Sequence, residues 1–201
     1  MSRTLFDGIS WRGRPETARD MSAVFAVVRR LHEMLWYLAD AVDRAVTPDA
    51  AEDVEALRDR IRTTIDAGSS SLRRLDVDAL HTEVRDLLVE VSQEVRTITR
   101  AGATPDTAFR PGVDLAGLDL RGGDLRGRDL RGASAIAADL RRVDLTDTDL
   151  LGVDLRDALV HGADLSAALF LTQSQVNAMS GDGATSLPRW IERPRHWSPS
   201  A

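Results

Sequence analysis

The stretch VDLAGLDLRGGDLRGRDLRG, residues 113–132, places a leucine at every fifth position, usually directly after an aspartate. A helix repeats its apolar face about every 3.6 residues and a half-buried strand about every two, so a period of five fits neither element. The rhythm continues without an insertion as far as Thr172. Its central positions are all apolar: Leu115, Leu120, Leu125, Leu130, Ala135, Leu140, Leu145, Leu150, Leu155, Val160, Leu165 and Phe170.

A second inward position lies two residues before each centre, and most of these positions hold a small apolar side chain such as Ala133 or Ala163. Residues two apart in an extended segment point to the same side. A glycine two residues after the centre, as at Gly117, suits a sharp corner. The pattern therefore predicts a coil with one flat side per repeat. Arg128 departs from it, because at an inward position its guanidinium requires a partner or the solvated end of the coil.

The form A(D/N)LxG, as in GADLS at 162–166 and AADLR at 137–141, resembles the pentapeptide-repeat proteins. The resemblance covers Val113 to Thr172, which is twelve repeats in one register. It implies that four repeats make one square turn of a right-handed quadrilateral β-helix, so that this tract forms a solenoid of about three coils. The terminal stretch 169–197 is also similar to the end of actinobacterial members of the family.

The residues before the repeats follow helical spacing, from about Thr17 to Arg100. Thr47 and Pro48 are typical of a helix N-cap and first helical position, and the GSSS at 68–71 ends or interrupts the helix that follows them. Three helices are expected, with apolar stripes that form an antiparallel bundle or, alternatively, an intermolecular coiled coil. The stripe of the first helix is Met21, Val24, Val28, Leu31, Leu35, Leu38 and Val42, and that of the third is Val77, Leu80, Val84, Leu87, Val91, Val95 and Ile98.

The predicted fold is therefore mixed, with an N-terminal α-helical bundle at 1–105 and a β-helix at 106–172. A capping helix and tail follow at 173–201, and Thr172 with Gln175 forms a capping-box pattern at the start of that helix. The open ends of a coil expose backbone groups that invite association. The tail, with Trp190 and Trp197, is expected to cover the last coil.

The composition narrows the class of protein. The net charge of −6 argues against direct binding to nucleic acid, and the absence of cysteine excludes disulfides, thiolate zinc sites and cysteine nucleophiles. All 26 basic residues are arginine, which excludes lysine chemistry. We find neither a signal-peptide pattern nor an apolar run long enough to span a membrane. The simplest expectation is a soluble, cytoplasmic protein that does not bind membranes.

The residue types that usually catalyse reactions or bind metals form no recognisable motif in this sequence. The four histidines are scattered, and His32 to Trp36 lacks the second histidine of a zinc-protease helix. The repeated aspartates are spread evenly around the coil, where they are expected to accept hydrogen bonds from backbone at the corners. We therefore predict that the protein is not an enzyme, with no catalytic residues, no cofactor and no metal site.

The leading functional hypothesis is a non-catalytic protein–protein interaction or scaffold module. Leu151, Leu159, Leu169 and Leu171 stand where the repeat usually has polar outward residues, and we predict that they contact a protein partner of unknown identity. The alternative is that these leucines pack against the tail or the helical bundle. Self-association through the N-terminal helices or the coil ends is a further expectation.

The resemblance supplies an alternative function. Some pentapeptide-repeat proteins imitate duplex DNA with an acidic rod, bind DNA gyrase and confer quinolone resistance. Three coils would form a rod only about 14 Å long, whereas one turn of DNA measures about 34 Å. The tract from Val113 to Thr172 contains eleven aspartates and seven arginines, which is a weak negative charge for a phosphate mimic.

Overall fold

The structure, a computed structural model, describes residues 18–103 and 108–197. The first residues of the predicted helical domain and its expected boundary at 105/106 lie outside the described residues. The chain divides into two compact units, residues 1–91 and 92–201. We describe each unit by itself.

The first unit is helical, as predicted. It contains α1 (Ala18–Arg44), α2 (Pro48–Asp66), the short α3 (Ser69–Arg74) and most of α4 (Val77–Thr99). Helix α1 contacts both α2 and α3, and α2 contacts α3. The core of these three helices is formed by Val24, Val28, Leu31, Met34, Leu38, Ala41, Val54, Leu57, Ile61 and Leu72.

Local helix signals are confirmed in this unit. The Oγ1 of Thr47 accepts a hydrogen bond from Ala50 N at 3.3 Å, so Thr47 is the N-cap of α2. The predicted stripe of α4 is wrong at two positions, since Leu88 is buried in place of Leu87, which is half-buried, and Ile98 is 62% exposed. A straight helix drifts from a strict heptad, which moves the buried stripe by one residue.

The second unit begins with the last two turns of α4 and contains the repeats. Backbone hydrogen bonds join residues about twenty apart, for example Leu115 N to Ser134 O at 2.7 Å and Leu120 N to Asp139 O at 2.9 Å. Equivalent repeats therefore stack at intervals of twenty residues, in four rows. We number the rows by their first centres: row 1 at Leu115, row 2 at Leu120, row 3 at Leu125 and row 4 at Leu130.

The predicted right-handed quadrilateral β-helix, and with it the solenoid, is wrong for the part of the chain that the structure describes. That part contains no β-strand and no sheet. The bridges between successive coils are all isolated and parallel, such as Asp119 with Asp139 and Asp139 with Leu159. A turn lies between each bridge residue and the next, five positions later, so pairing never extends to consecutive residues and no strand develops.

The inward register of the repeats is confirmed. Of the twelve central side chains, eleven are buried, and Leu120 is half-buried. The small inward residues from Ala133 onward are buried as well. The inward positions of the first coil are less covered, since Val113 is half-buried, Gly123 is exposed and Leu118 is 47% exposed.

The C-terminal cap is confirmed at residue level. Helix α5 (Gln173–Ala178) begins with a capping box, in which Thr172 Oγ1 accepts from Gln175 N and Gln175 Oε1 accepts from Thr172 N. The tail is packed, since Ile191 and Trp197 are buried, and Trp197 Nε1 donates to Met179 O at 3.0 Å. The last coil is therefore followed by an ordered cap.

Candidate interaction surface

The outward surface of the repeats is made of a recurring two-residue unit. In row 2, Asp119 Oδ1 accepts from the backbone N of Arg121, and the guanidinium of Arg121 returns two hydrogen bonds to the same carboxylate, from Nε at 2.9 Å and Nη2 at 2.6 Å. Asp139 and Arg141 repeat this arrangement one coil later, with distances of 2.8 and 2.6 Å. Each arginine is thus held by a bidentate fork to an aspartate that is itself fixed to the backbone.

The units of row 2 are also linked to one another. Arg121 Nε lies 3.3 Å from Asp139 Oδ2, so the arginine of one coil contacts the carboxylate of the next. The hydrogen bonds from Arg121 lower the pKa of Asp119 to about 2, and those from Arg141 lower the pKa of Asp139. The side chains of Asp119 and Arg121 are 58% and 52% exposed. The result is a charged ladder that is held in place, with Asp119, Arg121 and Arg141 exposed and Asp139 largely covered.

Row 4 differs, because the end of α4 lies against it. Ser92 Oγ donates to Asp149 Oδ2 at 2.5 Å, and Arg96 donates from Nη2 to Asp129 Oδ2 at 3.0 Å. Arg96 Nε also donates to Ser92 Oγ at 3.0 Å, which joins the two contacts into one network. Asp129 is further forked by Arg131, as in row 2. Row 4 is therefore occupied by the protein's own helix.

Asp149 is fully buried at the centre of this network. Its Oδ1 accepts from Leu151 N at 2.9 Å, and Arg131 Nε lies 3.5 Å from Oδ2. Burial raises the pKa of Asp149 to about 6, although the hydrogen bonds from Ser92 and Leu151 oppose that shift. The pKa of Asp149 is therefore closer to physiological pH than that of an ordinary aspartate.

The four leucines predicted to bind a partner do not form one patch. Leu151, Leu169 and Leu171 belong to row 4, whereas Leu159 bridges Asp139 in row 2, half a coil away. Leu169 and Leu171 are buried, and Leu151 and Leu159 are half-buried. Burial of the first two favours the alternative, internal packing, at those positions. Leu159 lies on the row that carries the ladder.

Arg128 has the partners that its inward position requires. Its Nε donates to Asp124 O at 3.0 Å, and its guanidinium lies over the ring of Phe109, 5.0 Å from the centroid. Thr148 stacks beneath it in the same row and donates to Leu125 O. The small side chain of Thr148 and the aromatic ring of Phe109 thus accommodate the arginine near the first coil.

Sequence reasoning missed the network that joins α4 to row 4. Ser92 and Arg96 are four residues apart and therefore share one face of α4, a spacing that could have drawn attention to them. Nothing local indicates that this face meets Asp149, which is 57 residues away. The described residues contain no group of three or more side chains that could hold a metal ion, and none of their helices is long and apolar enough to cross a membrane.

Comparison with known proteins agrees with the five-residue pattern. The family model "Pentapeptide repeats" matches residues 112–147 and 136–170, with eight copies. The chain is also 42% identical over 197 residues to "Uncharacterized protein YybG" of Bacillus subtilis (strain 168), an alignment that covers 98% of this chain and 70% of the relative. The chain belongs to the pentapeptide-repeat family. As a pentapeptide-repeat protein, it is assigned to a family that is generally non-catalytic.

Proposed function

We propose that this pentapeptide-repeat protein is a non-catalytic protein–protein interaction module, and that its contact surface lies on row 2. We define the ladder face as Asp119, Arg121, Asp139, Arg141 and Leu159. The observation that carries the proposal is the bidentate fixing of both arginines on an exposed row.

Fixed side chains favour binding because association normally costs the freedom of each side chain that becomes ordered, about 0.5–1.5 kcal/mol for a long one. Arg121 and Arg141 have already lost much of that freedom to their aspartates. A partner surface with complementary charges would meet a preformed pattern of acid and base, which favours specificity.

An apolar position completes the face. Leu159 occupies the place that Asp119 and Asp139 have in the first two coils, and it is half-buried. An apolar residue beside charged ones is a common feature of protein interfaces, and Leu159 supplies it at the C-terminal end of the ladder. The family's generally non-catalytic character supports the same class of function.

The test is affinity capture by the full chain from a lysate of the organism that encodes it, with quantitative mass spectrometry. We expect the double variant Arg141→Gln, Leu159→Ser to reduce capture of specific partners by about tenfold or more. The matched control is Arg126→Gln, Ser166→Ala on row 3, which should retain them.

Thermal melting accompanies the capture experiment. Both double variants alter partly exposed positions, so we expect melting temperatures close to that of the wild type. Equal capture by the two double variants would contradict the proposal. A markedly lower melting temperature for the Arg141→Gln, Leu159→Ser variant alone would also contradict it, because Leu159 would then be part of the internal packing.

A further inference from the structure

The two ends of the repeat coil differ in whether their backbone groups are hydrogen-bonded. At the C-terminal end, Val160 N donates to Ser180 O at 2.8 Å, Ser180 N donates to Ala158 O at 2.9 Å, and Ser186 forms the equivalent pair in the next row. In row 1, Gln175 Nε2 donates to Val153 O at 3.0 Å. The tail thus supplies the hydrogen bonds that a further coil would make.

At the N-terminal end, no described coil lies beside the backbone groups of the first coil. Ser134 and Asp139 of the second coil each use their N–H and their C=O to bond the coil before them. Asp114 and Asp119 hold the same positions in the first coil, and within the described chain neither their N–H nor their C=O has a backbone partner on that side. Rows 1 and 2 of the first coil therefore form an open edge.

The other two rows of this coil are partly closed. Arg100 donates to Arg126 O at 2.9 Å in row 3, and Phe109 stacks on Arg128 in row 4. The inward side chains at the open edge are correspondingly uncovered, since Leu118 is 47% exposed and Val113 and Leu120 are half-buried. An edge with free backbone groups and exposed leucine is a template for pairing.

We propose that the occupant of this edge is a second copy of the chain, joined edge to edge about a two-fold axis. A residue with both its N–H and its C=O free forms a double hydrogen bond with a like residue in antiparallel pairing. Asp114 and Asp119 are two such residues, on either side of one corner. With the two-fold axis at that corner, Asp114 pairs with Asp119 of the partner subunit, and Asp119 pairs with Asp114 of the partner subunit. The edge is therefore complementary to itself, which a two-fold dimer requires.

Charge and shape support the same arrangement. Asp114 forms no ion pair with any described arginine, and Arg121 in the adjacent row reaches forward to the carboxylate of the next coil at 3.3 Å. The same reach in the opposite direction brings Arg121 to Asp114 of the partner subunit. Leu118 is larger than Ala138 and Ala158, which hold the same position in the next two coils. In the proposed dimer, its side chain contacts Leu118 of the partner subunit across the axis.

The inference goes beyond the proposed function. Both involve Asp119 and Arg121, but the capture variants change Arg141 and Leu159, which lie away from the open edge, so the two tests can fail separately. Only two of the four rows pair, so the interface is at the small end of the range, where association is weak and transient. We expect sedimentation velocity of the full chain to show a reversible monomer–dimer equilibrium over an about hundredfold range of concentration.

Leu118→Asp is expected to leave the chain monomeric throughout that range, because it places a charge beside the axis. Ile98→Asp, at a side chain that is 62% exposed on α4, is the matched control and should dimerise as the wild type does. Both positions are solvent-exposed, so both variants should keep the wild-type melting temperature.

A cross-link tests the register without relying on stability. The chain has no cysteine, and Ala116 is exposed at the corner between Asp114 and Asp119, next to the proposed axis. Ala116→Cys should form a disulfide-linked dimer under mild oxidation, whereas Ser166→Cys, exposed on the third coil, should not.

A monomer at every concentration, a dimer insensitive to Leu118→Asp, or equal cross-linking at 116 and 166 would each overturn the proposal. Partner capture by the ladder face would be unaffected by any of these results.

Discussion

At the scale of single residues, Asp149 should make stability depend on pH. Burial raises its pKa from 3.8 to about 6, so between these values the folded protein holds a proton that the unfolded chain has released. The contribution of this group to the free energy of unfolding therefore falls as pH rises from about 4 to 6, by about 2 kcal/mol, and stays low above pH 6. Asp149→Asn should remove this loss, because the amide is neutral throughout.

The measurement is urea denaturation of both proteins between pH 4 and 7, with hydrogen exchange of residues 113–172 as the local probe. We expect the difference in stability between Asp149→Asn and the wild type to grow in favour of the variant across that range. Asp139→Asn is the matched control. Its carboxyl pKa is lowered by Arg141, so its contribution to stability is present at neutral pH and is lost as pH falls, and removing it should destabilise the protein at pH 7. Parallel pH profiles for all three proteins would refute this account of Asp149.

At the scale of elements, the end of α4 depends on the absence of a side chain at one corner. A Cβ at Gly127 would lie 2.9 Å from Arg100 Cγ and 3.1 Å from Thr99 Cγ2, and the backbone there has φ +60°. Gly132 has a similar φ of +65° with nothing within 4 Å. Since Ala137 and Asp147 adopt positive φ at equivalent corners, the backbone alone tolerates a side chain.

We therefore expect Gly127→Ala to lower stability by about 1–3 kcal/mol more than Gly132→Ala, because only the first displaces the helix end. Arg100 would lose its hydrogen bonds to Asp124 and to Arg126 O, and Thr99 Oγ1 its bond to Asp147. Hydrogen exchange of the peptide that covers residues 92–103 should rise in Gly127→Ala and stay at the wild-type level in Gly132→Ala. Equal effects of the two variants would show that this contact does not secure the helix.

At the scale of the whole molecule, many acidic side chains of the repeats are already paired with arginine. Asp119, Asp129, Asp139 and Asp154 are each forked by the arginine two residues later, and Asp144 lies 3.5 Å from Arg126. A surface that imitates DNA phosphates needs negative charge that is left uncompensated. We therefore predict that the protein does not inhibit DNA gyrase supercoiling at ratios near one to one.

A supercoiling assay at several salt concentrations checks this prediction, with a short DNA duplex as the positive control. Stoichiometric inhibition that weakens steeply with salt would indicate a DNA-like surface and would contradict the charge argument. An absence of inhibition together with partner capture through the ladder face would support the proposed interaction module.

Local patterns in the sequence determined the helix caps and the register of the repeats. The capping box of Thr172 and Gln175, the N-cap at Thr47 and the inward register of the repeats were all predicted correctly. Each depends on residues a few positions apart, or on one side chain repeated at a fixed interval, so the chain itself contains the information. The family is recognisable for the same reason.

Tertiary structure decided the rest, because it depends on residues that are distant in the sequence. The sequence predicted strands, but the corner in every repeat limits pairing to single bridges twenty residues apart. The sequence also offered Leu169 and Leu171 as outward residues, whereas the structure buries them on the row that Ser92 and Arg96 occupy. Which row the helix covers, and hence which row stays exposed, is set by contacts between α4 and aspartates 33 to 57 residues away, and no local pattern encodes such contacts.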